Sequence, residues 1–158
     1  MRLLVLRHGQ ASNAGASDAG RPLTDSGRAA VAALAPVVEP LDPDLVLCSS
    51  ALRTRQTLEL LALDPGVDVR LEDGLYGAGV DELIEFVRLV DDDVVSVLIV
   101  GHNPAAKDLV VELTGGERIP SFRPATLAVL ELDVTRWWEV GPATARLVSL
   151  HVPDPHAE

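Results

Sequence analysis

The chain has 158 residues, 47% of them hydrophobic, 23% charged and 3% aromatic, and a formal charge of −11. This fits one globular domain of roughly 100–200 residues with an aliphatic core. It argues against a disordered chain, against a nucleic-acid binder with a basic footprint and against a partner of anionic membranes. The lone cysteine, Cys48, leaves no internal disulfide framework and no Cys-rich zinc site.

The apolar start, Met1 to Leu6, is cut short by Arg7, His8 and Gln10. No signal peptide is expected, and the chain reads as cytoplasmic. Leu3-Leu4-Val5-Leu6 is a continuous aliphatic run, as in a strand buried on both faces. Thr24 is a suitable N-cap for a helix over 25–39, stopped by Pro40 and Pro43. Leu45-Val46-Leu47-Cys48 predicts a second buried strand, and 51–63 a helix that Pro65-Gly66 ends. A short strand over 67–71 and a helix over 80–90 follow, with Asp91, Asp92 and Asp93 as a solvated turn. The apolar run 94–100 is the strongest strand signal and is far short of the roughly 18 residues of a membrane span. Pro104 stands near the start of the next helix, which ends near Gly115-Gly116. Two strands, 126–134 and 146–152, are joined by a turn whose Trp137 and Trp138 are expected to pack. Residues 153–158 read as a frayed tail after a single domain over 1–152. The alternation implies an α/β layered fold with a mostly parallel sheet, whose ligands sit beyond the carboxyl ends of the strands.

Polar residues gather at those ends. The first strand finishes in Arg7-His8-Gly9, the second in Cys48-Ser49-Ser50 with Arg53 one turn on, and the strongest in Gly101-His102-Asn103-Pro104. Arg21 is added from the loop 18–24. Arginine forks match phosphate oxygens in paired contacts. A helix opening at Asn103 favours an anion, and Gly9 lets the backbone approach a ligand. An imidazole can be a nucleophile toward phosphorus or a proton donor. Taken singly, His8, His102 and Arg53 read as ordinary structural residues. Four of these groups at adjacent strand ends read as a phosphate pocket with histidine chemistry. Arg55, two residues beyond Arg53, points elsewhere, and Cys48 reads as an inert buried thiol.

Leu6-Arg7-His8-Gly9 resembles the RHG motif of the histidine phosphatase, or phosphoglycerate-mutase-like, superfamily. Ser17-Asp18-Ala19-Gly20-Arg21-Pro22-Leu23-Thr24, Ser49-Ser50-Ala51-Leu52-Arg53 through Gln56-Thr57, and Val100-Gly101-His102-Asn103-Pro104 resemble the further motifs of its SixA-type phosphohistidine phosphatases. Asp73-Gly74-Leu75-Tyr76 is similar to the segment before the second histidine. The resemblance implies a three-layer α/β/α domain without a cap. It also implies a phosphohistidine intermediate on His8, with Arg7, Arg53 and His102 on the phosphoryl oxygens, Arg21 adding a loop contact, and no metal or other cofactor.

The general acid is the departure from the family pattern. Asp73 is nearest to the expected place, Glu72 is its neighbour and Asp18 is a third candidate, beside the reading that none donates a proton. An imidazole leaving group, with a pKa near 6.5, needs less help than an alkoxide. Weak acid chemistry and a shallow pocket therefore point to phosphohistidine on a partner protein. The alternatives are a phosphatase of small sugar or nucleotide phosphates and a non-catalytic phosphate-binding module.

Overall fold

The computed structural model describes residues 1–154. Its order is β1 (Arg2–Arg7), α1 (Asp25–Ala32), α2 (Ala35–Val38), β2 (Leu45–Ser49), α3 (Leu52–Leu60), β3 (Asp68–Glu72), α4 (Val80–Arg88), β4 (Ser96–Gly101), α5 (Ala105–Leu113), β5 (Leu127–Leu132) and β6 (Ala145–His151). One six-stranded sheet runs β3-β2-β4-β1-β5-β6. Neighbours among β1 to β4 pair in parallel, while β5 is antiparallel to both β1 and β6. The mostly parallel α/β sheet expected from the alternation is therefore present, without a cap domain among the described residues.

Helices cover both faces. Leu3, Val5, Leu47 and Ile99 pack with α4 and α5 on one side. Leu4, Leu6, Val46, Cys48 and Leu98 pack with Val31, Leu34 and Val38 on the other. Each fully buried Leu or Val contributes about 1.5–3 kcal/mol relative to exposure. Central strands need apolar residues at successive positions for this reason, and the aliphatic runs identify them.

Two boundaries and one packing contact differ from expectation. The helix predicted over 25–39 stops at Ala32 and restarts at Ala35. Pro36 lacks an N–H, and its ring would clash with the carbonyl of Ala32, four residues back. Thr24 does cap α1, its hydroxyl accepting from the Gly27 amide at 3.0 Å. In the turn between β5 and β6, Trp137 is fully buried with its indole donating to the Val94 carbonyl at 2.8 Å, but Trp138 is exposed and does not pack as expected. The start of the strand predicted from residue 94 shifts to Ser96, because Asp44 takes the Val95 and Ser96 amides with one carboxylate oxygen. Of the expected tail, 155–158 lie outside the described residues. Among the described residues no helix is long and apolar enough to cross a membrane.

Candidate active site

The register of the sheet brings the two histidines together. Arg7 stands opposite Gly101 across β1 and β4, and the His8 amide donates to the Gly101 carbonyl at 3.1 Å. Both chains leave the sheet at the same level, so the His8 and His102 rings lie 5.3 Å apart, centroid to centroid. Nδ1 of His8 is 2.6 Å from the carbonyl of Gly9. A carbonyl only accepts, so Nδ1 carries the proton and Nε2 keeps its lone pair. Burial first, then the charges of His102, Arg53 and Arg7, push the His8 pKa down to about 4 against the Gly9 bond, which raises it. The imidazole is neutral at pH 7.

Gly9 serves packing. A Cβ there would lie 2.8 Å from Val31 Cγ2 and 3.0 Å from the Gly27 carbonyl, so the missing side chain lets this loop approach α1 closely. Its amide donates to Thr57 Oγ1 at 3.0 Å, and that hydroxyl donates to the Arg53 carbonyl at 2.7 Å. Gln56 Oε1 accepts from the Leu23 amide at 2.8 Å. The Gln-Thr pair of α3 thus ties the loop after His8 and the segment after Arg21 to the helix that carries Arg53.

Arg53, in the first turn of α3, is 6% exposed. Its Nη1 donates to the Asp18 carbonyl at 2.8 Å and its Nη2 to Asp18 Oδ2 at 3.2 Å. Arg21 donates from Nε to the Ser12 carbonyl at 2.9 Å and from Nη1 to Asp18 Oδ1 at 3.2 Å. The Tyr76 hydroxyl also donates to Asp18 Oδ2. The Tyr76 ring lies 5.8 Å beneath the Arg53 guanidinium and edge-on to His102 at 5.6 Å. The Tyr76 hydroxyl, then Arg21 and Arg53, hold the Asp18 carboxyl down at about 2, and the same bond raises the Tyr76 pKa. Asp18 is therefore an ionised acceptor that organises two cations.

Arg7 donates from Nη1 to the Phe122 carbonyl at 3.1 Å, and Asn103 Nδ2 donates to that same oxygen at 2.9 Å. Asn103 Oδ1 accepts from the Lys107 amide at 3.3 Å, so both ends of this side chain brace the site internally. His102 Nε2 meets Ser49 Oγ at 2.8 Å. Burial and the Arg53 charge push the His102 pKa down to about 4. Three enclosed nitrogens in this cluster have no hydrogen-bond partner: Arg7 Nε, Arg53 Nε and His102 Nδ1.

The structure thus joins His8, Arg7, Arg53, His102 and, through Asp18, Arg21. It does not join Asp73, which stands exposed in the turn after β3 and makes no side-chain hydrogen bond or ion pair among the described residues. The carboxylate that reaches the cluster is Asp18. Tyr76 and Ser49 were legible in the motif segments without a chemical role. The Phe122 carbonyl, a main-chain group from a distant loop, left no sequence signal. Arg55 is exposed and its side chain donates to the Ser50 carbonyl at 3.0 Å, and Cys48 is a buried thiol pushed up to about 12 by desolvation. No group of three or more His, Cys, Asp or Glu among the described residues could hold a metal ion.

Comparison with known proteins agrees with this geometry. The model of the histidine phosphatase superfamily (branch 1) matches residues 3–83. The phosphohistidine phosphatase SixA of Escherichia coli is 32% identical over 93% of this chain and 98% of its own. A solved SixA-type structure from Nakamurella multipartitia superposes with a TM-score of 0.88 at 34% identity, over 96% of this chain and 95% of that one. A SixA structure complexed with tungstate superposes with a TM-score of 0.81 at 28% identity, over 95% and 96%. Matched by the family model over half its length and by SixA along nearly all of it, the chain belongs to the histidine phosphatase superfamily, as a phosphatase of the SixA-type branch.

Proposed function

We propose that this phosphatase removes the phosphoryl group from phosphohistidine on a protein, through a phosphohistidine intermediate on His8. The observation that carries the reading is a bare Nε2 lone pair on His8 beside three partnerless nitrogens, on Arg7, Arg53 and His102. The charge of a transferring phosphoryl group spreads over three oxygens, and fixed donors stabilise it in the transition state. Nε2 attacks phosphorus as the bond to the leaving nitrogen breaks, and that nitrogen departs with the electron pair as part of a neutral imidazole, whose other ring nitrogen carries a proton taken from solvent. Water then attacks the phosphorus of the intermediate, the bond to Nε2 breaks with its electron pair returning to His8, and the water's proton passes to solvent as inorganic phosphate leaves. Tungstate, the oxyanion in the SixA relative, has the tetrahedral shape of phosphate.

The leaving group narrows the substrate. Asp18, held ionised, cannot protonate it, and Asp73 stands apart from the cluster. A phosphohistidine ring protonated by solvent on its other nitrogen departs as neutral imidazole without a further acid, whereas an alkoxide needs one at the reacting oxygen. A second reading, hydrolysis of small phosphate esters, keeps the same cradle. Purified protein assayed on a phosphohistidine peptide and on a panel of sugar and nucleotide phosphates separates the two. Higher kcat/KM on the peptide is expected, and preference for an alkyl ester would overturn the assignment.

A further inference from the structure

Ser49 ends β2, is wholly buried and belongs to a motif segment whose chemistry the cluster above does not use. Its Oγ accepts from the Ala51 amide at 3.3 Å and lies 2.8 Å from His102 Nε2. The main chain holds the residue in place, since Thr54 Oγ1 donates to the Ser49 carbonyl at 2.7 Å. The Ala51 amide can only donate, so it occupies a lone pair of the oxygen and leaves the hydroxyl hydrogen free. The one acceptor that the described residues offer this hydrogen is His102 Nε2.

The two tautomers of a neutral His102 then differ sharply. With the proton on Nε2, the ring and the Ser49 hydroxyl would each present a hydrogen across 2.8 Å unless the hydroxyl turned away to nothing, and Nδ1 would be a bare lone pair. With the proton on Nδ1, Ser49 donates to Nε2 and both of those groups are satisfied. The only unmet group is then the enclosed Nδ1–H. Buried polar groups are rarely left unpaired, so the second arrangement is preferred.

We propose that Ser49 is a positioning residue that fixes His102 as its Nδ1–H tautomer and so makes it a hydrogen-bond donor to an oxyanion. The donor half of this statement rests on the phosphatase reading above, whereas the tautomer half stands on the hydrogen bonds alone. A bare Nδ1 would repel a phosphoryl oxygen, and the same ring without Ser49 would present either face of its chemistry. His8 is set by the same logic from the other side: Gly9 takes its Nδ1–H, which frees Nε2 as a nucleophile. One imidazole is held as a nucleophile and its neighbour as a donor, each by a single uncharged partner.

Two-bond proton–nitrogen correlation spectra of the histidine-labelled protein at pH 7.5 read the tautomer directly, with the His102 signal assigned by its loss in His102→Gln. The expected wild-type result is a proton on Nδ1 of His102, with Ser49→Ala giving a mixture and Ser49→Thr restoring Nδ1–H. Competitive inhibition by vanadate should weaken about tenfold in Ser49→Ala and recover in Ser49→Thr. A wild-type His102 protonated on Nε2, or an unchanged tautomer in Ser49→Ala, overturns the proposal, and the first result needs no variant. Nδ1–H in the wild type without vanadate binding supports the hold of Ser49 on the ring and overturns the oxyanion reading of the site.

Discussion

Arg21→Ala distinguishes a loop arginine that touches the phosphoryl group from one that merely braces the loop. Its guanidinium already spends Nε on the Ser12 carbonyl and one Nη1 hydrogen on Asp18, which leaves Nη2 free to reach a ligand. If the only losses are the bracing contacts to the Ser12 carbonyl and Asp18, the cost is close to that of a partly exposed ion pair, with side chains 29% and 55% exposed. Such pairs are worth about 0–1 kcal/mol after solvent screening, or under roughly fivefold in rate. If Arg21 also donates to the phosphoryl group, a charged hydrogen bond worth about 1.5–3 kcal/mol disappears, a fall of roughly 10- to 150-fold in kcat/KM. We expect the larger figure on a phosphohistidine peptide, with Arg55→Ala within twofold of wild type as a control of the same residue type. Thermal stability of Arg21→Ala should stay close to that of wild type, because no core contact is removed. A loss smaller than fivefold would refute direct contact and reduce Arg21 to a brace for Asp18. Equal damage from Arg55→Ala would mean that the face of α3 has been misread.

His8→Ala should lower turnover by at least roughly 10³-fold with the fold intact, and acid-labile, base-stable phosphate should be trapped on wild type alone. The acid limb of kcat/KM should fall near pH 4 and not near 6.5, because the His8 pKa is depressed to about 4 and only the neutral ring attacks. By linkage, an unfolded chain takes up protons on these histidines near 6.5 and the folded one only near 4, so stability declines as pH drops through that window, which pH-resolved denaturant titrations would show. Gly27→Ala should destabilise by about 1–3 kcal/mol or more in denaturant melts, because its Cβ would run into the Gln10 main chain and backbone cannot yield as a side-chain tip can. Activity after exhaustive EDTA treatment should match the untreated enzyme, and a large reversible loss would contradict the metal-free mechanism.

The parts of the molecule that could be read from sequence are those with a local physical signature. Leu3-Leu4-Val5-Leu6 and Leu45-Val46-Leu47-Cys48, short aliphatic runs bounded by polar residues, are strands buried on both faces, and they set the edge at which Arg7, His8 and Arg53 gather. The break at Pro36 is equally local, a proline inside the apolar helical run ahead of Pro40 and Pro43. Asp18 and Tyr76 stand 58 residues apart, and nothing along the chain says that a loop before α1 meets the turn after β3. Asp73 is suitable by counting, yet its side chain is exposed while Tyr76, three places on, carries the contact to Asp18. The shared Phe122 carbonyl, which takes both Arg7 and Asn103, belongs to main chain that any residue could have supplied.

His8 follows β1, a strand paired on both sides at the middle of the sheet, whereas Asp18 and Tyr76 sit in exposed segments joined by one another's side chains. Amide protons of residues 3–6 should exchange only on global unfolding, and those around Asp18 through small local openings. His8, the nucleophile of the proposed mechanism, would then stay in register through fluctuations that dismantle and rebuild the rim. Substitutions in the rim would cost the sheet little, so contacts to a leaving group can change while the strand that carries His8 keeps its place.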